Sequence, residues 1–310
     1  MKKVLIFGSG SIGNHLANAC RKIKLSVSVT DISFKALIRM KNEIYPLRYL
    51  KWDKQIQIIK YSDVFKSKTK YDLVIIGTPP GTHYSLIKKI FSKINFEKLM
   101  IEKPLSTYRT NIDYKMLSSM LYKKKIFVGY NHSVSESFSY FQNLLKKIKK
   151  KDLTFIGINW QEGWSGILNA HFWNKNEFSS YLGDISKGGG STHEHSHGLH
   201  LLVCLGDIIK FKLPEQMNKF IHYKIKNKKI YYDNYVNINW KLNNFLINYT
   251  SDLITEPANK SISLFTKTEK YELIFNYKKK FDLVKKTKLK TGFSKLKLFK
   301  KKRSTDFINE

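Results

Sequence analysis

A glycine-rich turn near the N-terminus has the spacing of a phosphate-binding loop. Gly8, Gly10 and Gly13 directly follow a short apolar segment at residues 4–7. The first glycine permits a tight turn, the second lets the backbone approach a pyrophosphate, and the third lets a helix pack on the strand. Amide groups at the start of that helix would face the phosphates. The turn lies between a predicted strand and a predicted helix, which favours a dinucleotide site over an incidental turn.

A single acidic residue indicates which dinucleotide the turn would hold. Asp31 directly follows the second predicted strand, residues 26–30. A carboxylate there accepts hydrogen bonds from the adenosine ribose hydroxyls and repels a 2′-phosphate. We therefore expect NAD in preference to NADP.

Two further segments stand at the ends of predicted strands. Residues 78–83 (TPPGTH) follow the strand at 72–77, and residues 102–104 (EKP) close the strand that begins near residue 99. The carboxyl ends of parallel strands line the crevice where open α/β sheets bind ligands. We expect the first segment to line the cofactor and Lys103 to meet a substrate. A rigid Pro-Pro-Gly turn and a surface lysine are the competing interpretations.

Four histidines are concentrated after three glycines at residues 188–190. They are His193, His195, His197 and His200. On a helix, His193, His197 and His200 share a face, and imidazole is a common ligand of zinc and similar ions. A helix start that points polar side chains at a substrate pocket explains the same pattern, and we predict no metal. His195 is expected to point away from that pocket.

A stretch between residues 159 and 181 mixes aromatic side chains with hydrogen-bonding groups. Glu162, Trp164 and His171 are the candidates in it for contact with a substrate. Aromatic rings stack on the C–H faces of sugars while acids and amides bind hydroxyls. Core packing between a strand and a loop accounts for the stretch equally well.

The elements that must position these residues differ between the two halves of the chain. Up to residue 130, short apolar strands alternate with helices, as a parallel sheet covered on both faces requires. Beyond it, a lysine-rich helix and the histidine-rich helix accompany several alternating segments that indicate an antiparallel sheet. The sequence predicts an α/β protein with one domain at residues 1–130 and a second, α+β domain at residues 131–310.

The charge of the chain calls for an explanation of its own. With 56 Lys and Arg against 24 Asp and Glu, the 310 residues carry a formal net charge of +32. Such a charge is typical of nucleic-acid binding, but nearly all of it is lysine, whereas base readout and bidentate phosphate contacts favour arginine. Lysine is also spread over the whole chain, which favours a compositional drift. We predict no specific nucleic-acid partner, although a basic surface attracts acidic substrates.

Cellular location follows from what the sequence lacks. It contains no run of about 18 apolar residues, and its first apolar segment is too short for a signal peptide. Cys20 and Cys204 form no paired spacing, so we expect no disulfide framework and a cytoplasmic protein. The lysine-dense tail at residues 278–302 is expected to be a solvated edge strand or a frayed end in preference to a membrane anchor.

Taken in order, these segments resemble a known family. The glycine-rich turn, Asp31, TPPGTH, EKP, GYN at residues 129–131 and the glycines before a histidine-bearing helix are similar to those of the glucose-fructose oxidoreductase and inositol dehydrogenase (Gfo/Idh/MocA) family. The resemblance covers essentially the whole chain, and EKP is its most specific part. It implies a Rossmann dinucleotide-binding domain, then an α+β substrate domain whose open, mainly antiparallel sheet makes oligomer contacts. We accordingly expect a homo-oligomer.

The resemblance also implies a catalytic set. Lys103 would contact substrate and cofactor, Glu194 falls on the acidic position of the motif after the glycines, and His197 is placed as the catalytic histidine. His200 replaces a frequent second acid, and His132-Ser133 replace the usual Arg-Phe after GYN. Either His197 or Lys103 would accept the proton, because a lysine buried beside a positively charged nicotinamide would lose its own proton more readily.

The implied reaction is transfer of a hydride between nicotinamide and a hydroxyl-bearing carbon of a sugar, polyol or nucleotide sugar. The alternative is a non-catalytic regulator of the same fold that binds a dinucleotide or sugar nucleotide. The residues expected to bind the cofactor are Gly8, Ser9, Gly10, Ser11, Ile12, Gly13, Asp31, Thr78, Pro79, Pro80, His83, Glu102, Lys103 and Asn131. The residues expected to bind the substrate are Lys103, Glu162, Trp164, His171, Glu194, His197 and His200.

Overall fold

The computed structural model describes residues 1–122, 126–301 and 305–310. The chain folds as two compact units. The first consists of residues 1–129 with 186–188 and 310, and the second of residues 130–185 with 189–309. Each unit is built around its own sheet, parallel in the first and mostly antiparallel in the second, so the predicted α/β fold class is confirmed.

The first unit alternates strands and helices along the chain. Its strands are β1 (Lys3–Phe7), β2 (Ser26–Thr30), β3 (Gln57–Ile58), β4 (Lys70–Ile76), β5 (Asn95–Glu102) and β6 (Ile126–Gly129). Its helices are α1 (Ser11–Lys22), α2 (Phe34–Arg39), α3 (Tyr45–Tyr49), α4 (Tyr61–Val64), α5 (His83–Lys93) and α6 (Tyr114–Tyr122). Among the described residues these strands form one parallel sheet in the order β3-β2-β1-β4-β5-β6.

Strand register brings the predicted ligand-binding segments to one edge of this sheet. Phe7 at the end of β1 pairs with Thr30 of β2 and with Ile76 of β4. Ile76 in turn pairs with Ile101 of β5. Because parallel strands end on the same side, the turns that follow β1, β2, β4 and β5 are neighbours there.

The second unit holds the remaining elements. Its strands are β7 (Leu153–Gln161), β8 (Asn218–Ile225), β9 (Tyr231–Lys241), β10 (Leu246–Asp252), β11 (Asn259–Thr266), β12 (Glu269–Tyr277), β13 (Phe281–Lys288) and β14 (Ser294–Lys300). Its helices are α7 (Glu136–Leu145), α8 (Trp164–Ala170), α9 (Ser191–Glu194), α10 (Ser196–Ile209) and α11 (Thr305–Asn309). The described strands are ordered β14-β13-β12-β11-β7-β10-β9-β8, antiparallel except for the parallel pair β7 and β10.

One face of the second sheet carries the core of its unit. Along β10, Ile247 and Tyr249 are buried, whereas Asn248 and Thr250 between them are only partly covered. The buried face packs with apolar side chains of α7 and α10, including Phe141 and Leu205. Alternation with a period of two therefore gives the sheet one covered face and one open face, as predicted for this half.

Two features differ from the sequence-based expectation. The lysine-dense tail forms β13 and β14, and β13 lies inside the sheet, so a frayed end is wrong for this segment, while β14 is the expected edge strand. Val284 of β13 and Phe299 of β14 belong to the buried core, and Lys286 pairs with Glu269 at 2.8 Å, which lets a lysine-rich strand pack. The predicted histidine-rich helix is interrupted at His195. Of the helices that the structure describes, none has the length and apolarity needed to cross a membrane.

Candidate functional site

The turn after β1 has the tightly packed backbone expected of a phosphate-binding loop. Gly8 has a φ of +102°, and a Cβ there would lie 2.6 Å from the carbonyl oxygen of Gly77. A Cβ on Gly13 would lie 2.0 Å from the carbonyl oxygen of Gly8. At Gly10, in contrast, a Cβ would meet no atom within 4 Å. Gly8 and Gly13 are therefore required by the packing of the turn, while Gly10 leaves the backbone open to a ligand.

Helix α1 begins at this turn and presents its positive end there. Its first turn holds no acidic residue, and Gly10 occupies the position before its first residue, Ser11. The guanidinium of Arg48 donates hydrogen bonds to the carbonyl oxygen and to Oγ of Ser11, each at 2.9 Å. A cation and a helix N-terminus thus stand together at the turn, which suits an anionic group. Sequence analysis missed Arg48, since it lies outside every motif.

Asp31 is fixed beside the glycine-rich turn. Its Oδ2 accepts hydrogen bonds from the backbone N–H of Ser9 at 2.9 Å and from Oγ of Ser9 at 2.8 Å. Its Oδ1 accepts a bond from the N–H of Ser33 at 2.9 Å. The carboxylate is only partly buried, whereas Ser9 is fully buried with its hydroxyl turned to Asp31.

His83 connects the loops that follow β4 and β5. Its ring nitrogens face two backbone carbonyls, Nε2 the oxygen of Thr78 at 2.6 Å and Nδ1 the oxygen of Pro104 at 3.0 Å. The side chain is fully buried. Burial lowers the pKa of His83, and the carbonyl contacts only partly oppose that effect. His83 therefore holds Thr78 and the EKP segment in place. Pro79, the residue after Thr78, is exposed.

The EKP segment ends β5. Glu102 is buried and Lys103 is partly buried. A Cβ on Gly129 would lie 2.7 Å from Oε1 of Glu310, 2.8 Å from Cε of Met100 and 3.2 Å from Oε1 of Glu102, so the glycine of the GYN motif makes room for these side chains. Gly188, which belongs to the same unit, has a φ of +90° and packs on the buried Pro80.

In the second unit, the start of α9 is held by a carboxylate that sequence analysis missed. Asp233 of β9 is 2% exposed, and its Oδ2 accepts hydrogen bonds from Ser191 Oγ at 2.9 Å and from Thr192 N and Oγ1 at 2.7 Å each. Its Oδ1 would lie 1.9 Å from a Cβ on Gly190, whose φ is +92°. The last glycine of the motif is thus required by Asp233. An Asp in an aromatic strand was the only signal available in the sequence.

The histidines after the glycines point in different directions. His193 Nδ1 faces the carbonyl oxygen of Gly189 at 3.0 Å. His195 is buried, and its Nε2 bonds to the carbonyl oxygen of Asp252 at 2.9 Å. His197 and His200 both contact the ring of Tyr130, with centroid distances of 5.7 and 4.0 Å. The structure therefore brings His197 and His200 together at Tyr130, while His193 and His195 bond to backbone carbonyls.

His200 is further held by a thiol. Its Nε2 lies 3.6 Å from Sγ of Cys204, one helical turn along α10. Burial lowers the pKa of His200, so the neutral ring is favoured at pH 7. Glu194 and Asn131 are both half-buried, Glu194 at the end of α9 and Asn131 at the start of a 3-10 turn over Asn131–Val134.

The aromatic and polar stretch is built into the second unit through its own partners. Glu162 pairs with Lys260 at 2.5 Å, and Trp164 Nε1 donates to the hydroxyl of Tyr232 at 2.9 Å. His171 Nδ1 faces the carbonyl oxygen of Ile167 at 2.9 Å. Contact of Glu162, Trp164 and His171 with a substrate stays a prediction. Across the part of the chain that the structure describes, no group of three His, Cys, Asp or Glu side chains could hold a metal ion.

Comparisons with solved structures show the fold. The WlbA dehydrogenase of Bordetella pertussis, in complex with NADH and UDP-GlcNAcA, is 13% identical with a TM-score of 0.66, covering 88% of this chain and 73% of its own. The UDP-N-acetylglucosamine 3-dehydrogenase GnnA of Acidithiobacillus ferrooxidans is 12% identical with a TM-score of 0.66, covering 99% and 87%. Biliverdin reductase of Synechocystis sp. PCC 6803, with biliverdin and NADP+, is 12% identical with a TM-score of 0.69, covering 99% and 87%.

Sequence comparison identifies the first unit. No curated protein sequence matches the chain. The sequence model of one family, described as an oxidoreductase family with an NAD-binding Rossmann fold, matches residues 2–132. This range contains the glycine-rich turn, Asp31 and the EKP segment, whose geometry fits a dinucleotide. Residues 2–132 of this chain therefore match the sequence model of the Gfo/Idh/MocA oxidoreductase family.

Proposed function

We propose that the chain is an NAD(P)-dependent dehydrogenase that transfers a hydride between nicotinamide and a hydroxyl-bearing carbon of a sugar, polyol or nucleotide sugar. The observation that carries the proposal is the turn after β1, in which Gly8 and Gly13 are sterically required and Gly10 is open. The nicotinamide, when bound, supplies the acceptor or donor of the hydride. The residues of the chain must then bind, orient and move a proton.

The first unit would hold the dinucleotide. The amides of the turn and the N-terminus of α1 would bind the pyrophosphate, and the partly exposed carboxylate of Asp31 would bind the adenosine ribose. We propose NAD as the preferred cofactor because a 2′-phosphate would meet the charge of Asp31. Titration with NADH and NADPH tests this preference, and Asp31→Ser should weaken NADH binding more than NADPH binding. Equal affinities for the wild-type chain would contradict it.

The proton step is assigned to three residues. We propose that His197 accepts the proton of the substrate hydroxyl, that Lys103 donates a hydrogen bond to the oxygen as its negative charge develops, and that Glu194 orients the group. Lys103 as the proton acceptor is the second assignment. A positioned acid or base contributes roughly 100- to 10,000-fold to the rate.

The substrate class is proposed to be a nucleotide sugar. Two of the structural neighbours are named for a UDP-sugar ligand or substrate, and a chain with a net charge of +32 attracts a diphosphate. Within the second unit, Glu162, Trp164, His171 and His200 are the proposed additional contacts. Since a third neighbour is a biliverdin reductase, biliverdin belongs among the compounds tested.

Hydride transfer is tested by mixing the purified chain with NAD or NADP and a panel of UDP-sugars, free sugars and polyols. The absorbance of reduced nicotinamide is followed, and biliverdin with NADH or NADPH forms a separate arm. Lys103→Gln and His197→Gln should each slow single-turnover hydride transfer by at least about 100-fold. His222→Ala, at an exposed position of β8, is the control. If neither active-site change slows transfer, the assignment of both residues is wrong.

The same experiment separates the enzyme from a regulator of the same fold. A regulator would bind NADH and a sugar nucleotide without any change in nicotinamide oxidation state. Isothermal titration with each ligand, carried out beside the turnover assay, distinguishes binding without reaction from absence of binding. Binding without reaction across the whole panel would favour the regulator.

We further propose a homo-oligomer that forms through the open face of the second sheet. In a chain with 56 Lys and Arg, the centre of this face is uncharged. Asn237, Asn239, Asn248 and Thr250 lie side by side on β9 and β10 and form a hydrogen-bonded ladder with distances of 2.6 to 3.1 Å. Light scattering should give a mass above one chain for the wild type and a lower mass for Thr250→Arg. A monomeric wild type would contradict the proposal.

A cytoplasmic location is proposed from the state of the two cysteines. Cys20 and Cys204 are both free thiols in the structure. Burial raises the pKa of Cys20 to about 11, and burial together with the charge of Asp207 raises the pKa of Cys204. Such thiols are poor nucleophiles and form no disulfide, as expected of a reducing compartment. Fractionation of expressing cells tests the location, and recovery in a membrane or secreted fraction would contradict it.

A further inference from the structure

The imidazole of His197 lies inside a cluster of aromatic rings that all belong to the second unit. The His132 ring is nearest, with centroids 4.8 Å apart and planes at 84°. Tyr130 approaches from another side at 5.7 Å and 86°, and Trp160 at 5.9 Å and 32°. His197 thus contacts three rings, two of which come from the segment at residues 130–132.

His132 is itself fixed by rigid neighbours. Its ring contacts Trp160 at 4.9 Å and 77° and Phe275 at 5.2 Å and 76°. Trp160 is 1% exposed and Phe275 is 3% exposed, and both belong to the core of the second sheet. His132 therefore contacts both the core of the second sheet and the imidazole of His197.

Tyr130 is fixed in a comparable way on its other side. Its ring stacks on His200 with centroids 4.0 Å apart and planes at 13°. His200 in turn contacts the thiol of Cys204 at 3.6 Å. Both side chains beside His197 are therefore held by further contacts, His132 by the core of the second sheet and Tyr130 by His200 of α10.

We propose that His132, assisted by Tyr130, is a positioning residue that sets the ring orientation of His197. The proposal rests on the proposed function, in which His197 accepts a proton. A rotation of 180° about the Cβ–Cγ bond exchanges Nδ1 with Cδ2 and Nε2 with Cε1, so an unrestrained ring presents a carbon in place of the reacting nitrogen for part of the time. A displacement of about 1 Å at a reacting group is enough to cost about 100-fold in rate.

The geometry assigns this role to the shape of the His132 ring. Planes at 84° with centroids 4.8 Å apart are an edge-to-face packing contact, the arrangement that aromatic pairs favour. A phenyl ring at position 132 should therefore preserve the orientation of His197, whereas a small side chain should release it.

The test compares His132→Phe, which keeps a ring, with His132→Ala and His132→Gln, which remove it. His222→Ala on β8 is the control for loss of a histidine at an exposed position. Nitrogen-15 spectra of histidine-labelled protein report the tautomer of each imidazole, and His197→Gln assigns the His197 signals. Steady-state kinetics with the best compound of the panel gives kcat and KM, and the pH profile of kcat is recorded for every variant.

His132→Ala and His132→Gln should lower kcat by roughly 10- to 100-fold with KM within about threefold, shift the pH profile and alter the His197 tautomer signals. His132→Phe should restore kcat to within about threefold of the wild type. Should His132→Ala fail to fold, His132→Gln carries the comparison. Unchanged His197 signals and kcat in the variants without a ring, or a His132→Phe variant as slow as they are, would overturn the proposal. Because the spectra need no turnover, altered signals without any active substrate would contradict the proposed function and leave this inference standing.

Discussion

Replacement of Asp233 by asparagine should lower the free energy of unfolding by about 1–3 kcal/mol. The carboxylate accepts three hydrogen bonds on one oxygen, from Ser191 and Thr192 at 2.7 to 2.9 Å. Bonds to a charged group contribute about 1.5–3 kcal/mol each, roughly twice the value of neutral ones. Asparagine keeps an oxygen in the same place, so about half of each contribution is lost. The smaller cost of burying a neutral amide offsets part of that loss.

Gly190 provides a second, linked perturbation. Its backbone, with φ of +92° and ψ of 167°, lies in a region used almost only by glycine, so Gly190→Ala should cost about 1–3 kcal/mol from the backbone alone. The new Cβ would also lie 1.9 Å from Oδ1 of Asp233. Removing the carboxylate removes this collision but leaves the backbone strain.

A double-mutant cycle separates these two terms. Gly190→Ala, Asp233→Ala and the double variant are unfolded in urea and followed by circular dichroism. The loss for the double variant should be smaller than the sum of the single losses by more than about 1 kcal/mol, because the collision contributes to the Gly190→Ala loss but is absent from the double variant. Strict additivity, or a Gly190→Ala variant within about 0.5 kcal/mol of the wild type, would refute the argument that Asp233 makes this glycine necessary.

Three further predictions concern the first unit. Gly10→Ala should leave the free energy of unfolding within about 0.5 kcal/mol of the wild type, because its Cβ meets no atom within 4 Å. It should nevertheless weaken NADH binding at least about tenfold, because the methyl group fills the approach to the pyrophosphate. An unchanged affinity in a fluorescence titration would refute this prediction. Gly13→Ala should instead lower the melting temperature strongly, because its Cβ would lie 2.0 Å from a carbonyl oxygen; a wild-type melting curve would contradict it. Because burial lowers the pKa of His83, this side chain takes up a proton near pH 6.5 in the unfolded chain but not in the folded chain. The free energy of unfolding should therefore fall as the pH drops below about 6.5, by at most about 1.4 kcal/mol per pH unit. Urea unfolding at several pH values should show a shallower decline for His83→Gln, and an equal decline would count against burial as the cause.

The candidate dinucleotide site could be located in the sequence because its signals are local. The glycine spacing, the strand before it and Asp31 after the next strand are all read within about thirty residues, the length of one βαβ unit. The order of the strand ends follows from parallel pairing, which brings Gly8, Asp31 and the loop at Thr78 to one edge. The structure places these residues as the pattern predicts.

The second unit was harder to predict because its site depends on partners distant in sequence. Asp233 meets Ser191 across 42 positions, and nothing around either residue indicates that pairing. The packing of His132 against His197 likewise depends on how a 3-10 turn meets α10. The position of β13 inside the sheet was missed for a different reason, because its many lysines indicate a solvated segment although Leu283 and Val284 are buried.

The path of the chain affects how the protein can be divided. Residues 186–188 belong to the first unit, although residue 185 before them and residue 189 after them belong to the second. A gene truncated after codon 129 would therefore encode a Rossmann fragment without Gly188, the residue that covers Pro80 and Thr107. Those two side chains would then lose this contact, and Pro80 belongs to the loop expected to line the cofactor. A chimera of two related proteins should therefore exchange residues 186–188 together with residues 1–129.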